Sequence, residues 1–222
     1  MSEFIDIYCE RTSHSFWAEP VNAVTNAAFL IAAIAAFVLA RRRRVFQLSP
    51  YLLILTIAII GAGSFLFHTF ATRWAMLADV VPIMIFQLIF IYAYARHVMH
   101  SHYQDLLGIY AIFAILVLFF GRLPQDWLNG SLTYAPALIV LLCLSFWHVR
   151  NAKAARWSLP VAALVFVLSV TFRSIDMAVC EGLPLGTHFL WHILNAAVLY
   201  LIVYAVLMNV PLRRAARLDV EV

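Results

Sequence analysis

Residues 51–70 read YLLILTIAIIGAGSFLFHTF. Nineteen of these twenty positions carry no ionisable group other than a tyrosine phenol, and about 20 helical residues cross the hydrocarbon core of a bilayer. The stretch is a membrane-spanning helix, and its single histidine lies near one end. Outward from it, six further apolar runs stand near Val21–Ala40, Trp74–Tyr94, Gln104–Gly121, Leu132–Trp147, Trp157–Val170 and Thr187–Met208. The runs beginning at Leu132 and Trp157 are the shortest. Helices are expected for all seven, because an open sheet edge in lipid leaves backbone groups unpaired.

Composition agrees. Of 222 residues, 65% are hydrophobic and 12% charged, about half the charged share of an ordinary soluble domain. The net charge of +4 does not indicate nucleic acid, since the basic residues fall in short connecting segments and no soluble domain presents them as a face. The first twenty residues hold Asp6, Glu10 and Glu19 and lack an apolar stretch, so no cleavable signal peptide is expected. No repeat or linker divides the chain. One domain, 1–222, is expected: an outer segment 1–20, seven helices over 21–209 and a cytoplasmic tail 210–222. With the N-terminus outside, Arg41–Arg44, Arg96, Arg150, Lys153, Arg156, Arg213, Arg214 and Arg217 fall inside, leaving Arg11, Arg73, Arg122 and Arg173 outside. That bias favours N-outside and C-inside.

Several polar residues interrupt the apolar runs. Ser64 and His68 are four apart, on one helical face. The segment WAMLADVVP (74–82) puts Asp79 about one turn inside the membrane, and GTHFLWHILN (186–195) places His188 and His192 four apart on one face. In the expected orientation all four ionisable groups share one depth near the outer side. A lone intramembrane histidine is usually a packed, hydrogen-bonded residue. Three with a carboxylate at one level instead suit Zn²⁺, whose catalytic sites take three protein ligands and keep a position for water. Asp79 could serve as a fourth ligand, as an acceptor that orients an imidazole, or as a general base; the base is favoured, because three histidines already complete the protein's share.

Other features have plainer readings. Cys9 and Cys180 fall on the outer side, where a disulfide persists, and Cys143 is expected to be buried in a span. Arg173 and Asp176 are expected to pair at a helix end. His97, His100, His102 and His148 read as solvated loop residues. Asn22 and Asn26, four apart, fit interhelical hydrogen bonding or support of the site equally well.

The segments CE (9–10), FWAEPVNAVTN (16–26), GSFLFH (63–68), LADVVP (77–82), RSIDMAVCEG (173–182) and HFLWHIL (188–194) together resemble the alkaline ceramidases, within a superfamily of seven-helix membrane hydrolases that includes the adiponectin receptors. The resemblance implies that His68, His188 and His192 ligate zinc, that Asp79 activates or orients the water, and that Ser64 is the serine near the metal. It implies a bridge between Cys9 and Cys180. It also aligns Glu10 and Glu19 with acidic ligands of a Ca²⁺ site, Asp6 being a further oxygen donor. Here the chain departs from the family pattern, which has an aspartate closer to the CE pair and an asparagine where Thr12 stands.

The implied activity is zinc-dependent hydrolysis of ceramide or a related N-acyl lipid, drawn from the bilayer, to a long-chain amine and a fatty acid. The alternatives are a zinc-stabilised receptor or scaffold without enzymatic activity, and a hydrolase of another lipid bond. The membrane and its lipid are the expected partners, with no obligate protein partner. The short loops point to a bacterial inner membrane, with the site toward the outer side.

Overall fold

The computed structural model describes residues 4–124 and 126–212. Among these, seven helices are long and apolar enough to cross a membrane, and no strand is formed. We label them α1 (Pro20–Arg42), α2 (Leu48–Phe70), α3 (Arg73–His97), α4 (Tyr103–Phe120), α5 (Ala135–Arg150), α6 (Ser158–Ile175) and α7 (His188–Asn209). The spans expected at Leu132 and Trp157 are longer than their apolar runs. A 3-10 segment, Trp127–Tyr134, leads into α5, and α6 continues through the polar sequence Thr171–Ile175. Arg213, Arg214 and Arg217, which entered the charge count, and most of the expected tail lie outside the described residues.

The outer faces carry large apolar side chains, among them Leu107, Ile112, Ile115 and Leu118 on α4, as a lipid-facing surface requires. α7 is the most central helix; Ala196, Val198, Leu199, Ile202 and Val203 are all buried in the main core. Cys143 faces outward from α5 instead of inward. His148 is no loop residue: it is fully buried in the last turn of α5, 2.6 Å from the Tyr94 hydroxyl.

Two glycines let helices meet closely. A Cβ at Gly61 would lie 2.8 Å from the Phe29 Cβ of α1, and one at Gly63 would lie 2.0 Å from the Ala78 carbonyl oxygen of α3. The Ala78 carbonyl is available because Pro82, four residues on, has no N–H to bond it. Packing α2 against α3 at this point sets Ser64, next along α2, beside Asp79, next along α3.

Gly63→Ala should therefore force these helices apart. The expected cost is about 1–3 kcal/mol, the range for overpacking a tight contact, read as a lower melting temperature in detergent. A variant melting with the parental protein would refute the close-approach reading.

Candidate metal centre

His68 sits in the last turn of α2, and His188 and His192 occupy the first two turns of α7. All three are at most 2% exposed. One nitrogen from each lies within 4.8 Å of the others. Three imidazoles drawn from helices 120 positions apart in sequence thus converge at one end of the bundle.

Their partners show which nitrogens are left over. His68 Nδ1 is 2.5 Å from Glu19 Oε2. An ionised carboxylate only accepts, so Nδ1 carries the proton and Nε2 keeps its lone pair. His192 Nδ1 is 3.0 Å from the Thr25 hydroxyl. That hydroxyl donates its one proton to the Val21 or Asn22 carbonyl, so it accepts from His192, and again Nε2 keeps the lone pair. Both Nε2 atoms, and His188 Nδ1, are buried without any hydrogen-bond partner. Buried polar atoms are nearly always bonded, so three orphans facing one point fit a metal ion. Glu19 and Thr25 then act as the groups that fix imidazole orientation around a metal.

Asp79 and Ser64 join this site. Ser64 lies one turn before His68 and is buried, Asp79 is partly exposed, and the Asp79 carboxylate interacts with the Ser64 hydroxyl and with the charge fields of His68 and Arg173.

The N-terminal segment closes the site from outside. Cys9 and Cys180 are bonded, with their Cα atoms 5.4 Å apart. Tyr8 stacks on the His188 ring, centroids 3.6 Å apart. Burial raises the Tyr8 phenol well above its usual value, so it remains a neutral hydroxyl. Arg11 is buried, with Nε 2.5 Å from Glu19 Oε1 and Nη2 donating to the His68 carbonyl at 2.7 Å. Although burial disfavours charge on Glu19, hydrogen bonds from His68, Arg11 and Asn22 hold its carboxyl below the usual range. Asn22 therefore supports the site through Glu19, while Asn26 bonds back to the Asn22 carbonyl within α1.

Among the described residues, Asp6, Glu10 and Glu19 do not form a group of three ligand oxygens within 4.8 Å of one another. Glu10 accepts the backbone N–H groups of Val21 and Asn22 at 2.7 and 2.8 Å, satisfying the first turn of α1. Glu19 is shared among Arg11, His68 and Asn22, and Asp6 is exposed.

Arg173 and Asp176 do not pair. Asp176 is fully buried and accepts the N–H groups of Cys9, Thr187 and His188, so it caps α7 and moors the N-terminal segment. The adjoining Gly186 has a φ of 66°, and a Cβ there would lie 2.2 Å from Asp176 Oδ1. Sequence reasoning missed the roles of Tyr8, Arg11, Thr25 and Asp176. Tyr8, Arg11 and Asp176 lie outside the apolar runs and Thr25 is a single polar residue within the first, and the contacts that define them are distant in the chain: Arg11 with His68 at a separation of 57, Thr25 with His192 and Asp176 with Cys9 at 167 each, and Tyr8 with His188 farther still.

The fold and site define a multi-pass membrane protein with a buried three-histidine centre, of the class that could hold a metal ion. The family model described as Ceramidase matches residues 6–219, nearly the whole chain, and this chain belongs to that family. Membership implies a hydrolase and suggests ceramide as the substrate. Comparison with curated individual proteins returns no match.

If Glu19 orients His68, Glu19→Gln should keep the fold yet weaken metal binding roughly 10–100-fold, as measured by chelator competition. Unchanged affinity would remove Glu19 from the site. Cys9→Ser with Cys180→Ser opens a loop of separation 171, and the chain-entropy model gives a loss on the order of 5 kcal/mol, read as a lower melting temperature in non-reducing buffer.

Proposed function

We propose that this protein is a zinc-dependent intramembrane amidase that cleaves ceramide or a related N-acyl lipid into a long-chain amine and a fatty acid. The observation that carries the reading is the set of three buried, unpartnered imidazole nitrogens within 4.8 Å of one another, and family membership supports it. Three imidazoles match the ligand set of catalytic zinc. When bound, zinc would polarise the amide carbonyl and make water acidic enough to react near neutral pH.

The chain's own residues divide the remaining work. Asp79, partly exposed beside the histidines, takes a proton from the attacking water and delivers it to the leaving nitrogen. Ser64 donates its one hydroxyl proton to the Asp79 carboxylate and so holds it in place. An apolar pocket between α3, α5, α6 and α7, lined in part by Phe86, Tyr134, Phe166, Asn195 and Ile202, takes a lipid chain. Asn195 stands one helical turn beyond His192, so a chain in this pocket brings its head group toward the histidines. A purely structural zinc would need a closed shell and no neighbouring base; the Asp79–Ser64 pair favours an enzyme. The charge count supports an orientation with this end of the bundle on the outer side, and the short loops support a bacterial inner membrane.

Asp79→Asn keeps the shape and removes the proton acceptor. It should retain zinc by elemental analysis while hydrolysis of an N-acyl long-chain amine falls at least about a hundredfold. Parental turnover would overturn the mechanism, and loss of zinc would move Asp79 into the metal shell. Calcium at the N-terminal carboxylates is a separate matter. Arg11 already sets a positive charge against Glu19, so a calcium-selective chelator should leave the melting temperature unchanged. A calcium-dependent shift would restore Glu10 and Glu19 as ligands.

A further inference from the structure

Arg173 is a buried cation with no anion bonded to it. It lies in the last turn of α6 and is 8% exposed. The two ion pairs among the described residues, both at Glu19, do not include it, so no described carboxylate oxygen comes within 4.0 Å of its guanidinium. Arginine does not lose its proton in proteins, so the charge stays. Nη1 donates to the Asn129 carbonyl at 2.6 Å and to the Ser131 hydroxyl at 2.9 Å. The rings of Tyr8, Tyr134 and Trp191 lie 6.0, 5.2 and 6.0 Å from its central carbon. Nε has no partner. Aromatic faces ease a buried charge, but they leave an unused N–H donor in an apolar interior.

The fold builds this arrangement deliberately. Leu128, Asn129 and Gly130 have φ of 51°, 52° and 74°. Two consecutive non-glycine residues in the left-handed region are strained, and the turn they make aims the Asn129 carbonyl at Arg173. The depth of the group is equally defined. Asp176, three residues on, bonds the His188 N–H, so Arg173 begins about 4.5 Å deeper, between the levels of His188 and His192. Ser169 bonding the Trp191 carbonyl at 3.2 Å sets the same register of α6 on α7. Tyr8, against one side of Arg173, stacks on His188, and Tyr134, against another, lines the apolar pocket. The guanidinium thus stands between the histidines and the pocket.

We propose that Arg173, through its free Nε, binds the carboxylate of the fatty acid whose chain fills that pocket. The proposal rests on the amidase reading. Hydrolysis breaks the acyl C–N bond, the hydroxyl of water joins the acyl carbon, and its hydrogen goes to the amine. The acid so formed loses a proton to solvent and becomes an anion. That anion supplies the missing partner of Arg173, and a charge-assisted bond of this kind is the stronger sort.

The test is calorimetric titration of the zinc-loaded protein in nanodiscs with dodecanoate and, as a control of equal length without charge, dodecanol. The parental protein should bind dodecanoate at least about tenfold more tightly, the scale of one charged hydrogen bond. Arg173→Gln should lose that preference by weakening dodecanoate alone, with zinc content unchanged. Arg173→Lys keeps the charge but lacks the Nε donor, so its preference should fall too; it decides the matter where Arg173→Gln does not fold. Full preference retained in either variant, or none in the parental protein, overturns the proposal. Failure of the amidase reading is read separately, as absence of N-acyl lipid hydrolysis by the parental protein whatever it binds.

Discussion

A polar group inside a lipid-embedded bundle must find its partner within the protein, because no solvent is there to provide one. Nearly every feature of the histidine-bearing end of this molecule follows from that constraint. Glu19 is buried and charged, so it is surrounded by Arg11, His68 and Asn22. Asp176 is buried and takes three backbone N–H groups. Among the described residues the buried groups left over after this pairing include three imidazole nitrogens facing one point and the Arg173 Nε, together with side-chain oxygens of Asn22, Asn26, Thr72 and Ser145. The imidazole nitrogens could hold a metal ion, and the Arg173 Nε is where we propose the anionic ligand.

The N-terminal segment is the device that completes the pairing. It is tied down at several places. The Cys9–Cys180 bridge joins it to the loop before α7, the Cys9 N–H bonds Asp176, and Glu10 caps the first turn of α1. Arg11 then reaches both Glu19 and the His68 carbonyl. Each anchor also contacts a residue that positions a histidine, so the order of this segment and the geometry of the centre are one property. An imidazole free to rotate would lose the tautomer and direction that metal binding needs.

The helix contacts below do the coarse positioning. Gly63 against the Ala78 carbonyl brings α2 and α3 together where Pro82 has freed that carbonyl. The same contact sets Ser64 beside Asp79. A glycine that reads in the sequence as a mild helix breaker is here the reason Asp79 stands near the histidines.

The sequence by itself determined the class of fold, because hydropathy over some 20 residues is a local property that a bilayer reads directly. It also determined which polar residues share a depth, since helix rise and the alternation of spans place Ser64, His68, Asp79, His188 and His192 at one level without knowledge of packing. Depth alone does not say what touches what. Rotation of each helix about its axis and the path of the N-terminal segment come from packing, so only the tertiary structure decided that Cys143 faces outward, that His148 is buried against Tyr94, and that Asp176 caps α7 instead of pairing with Arg173. For the same reason Arg11, Thr25 and Tyr8 were invisible as site residues. Their partners are fixed by distances of about 3 Å across the fold, and spacing along one chain carries no record of such contacts.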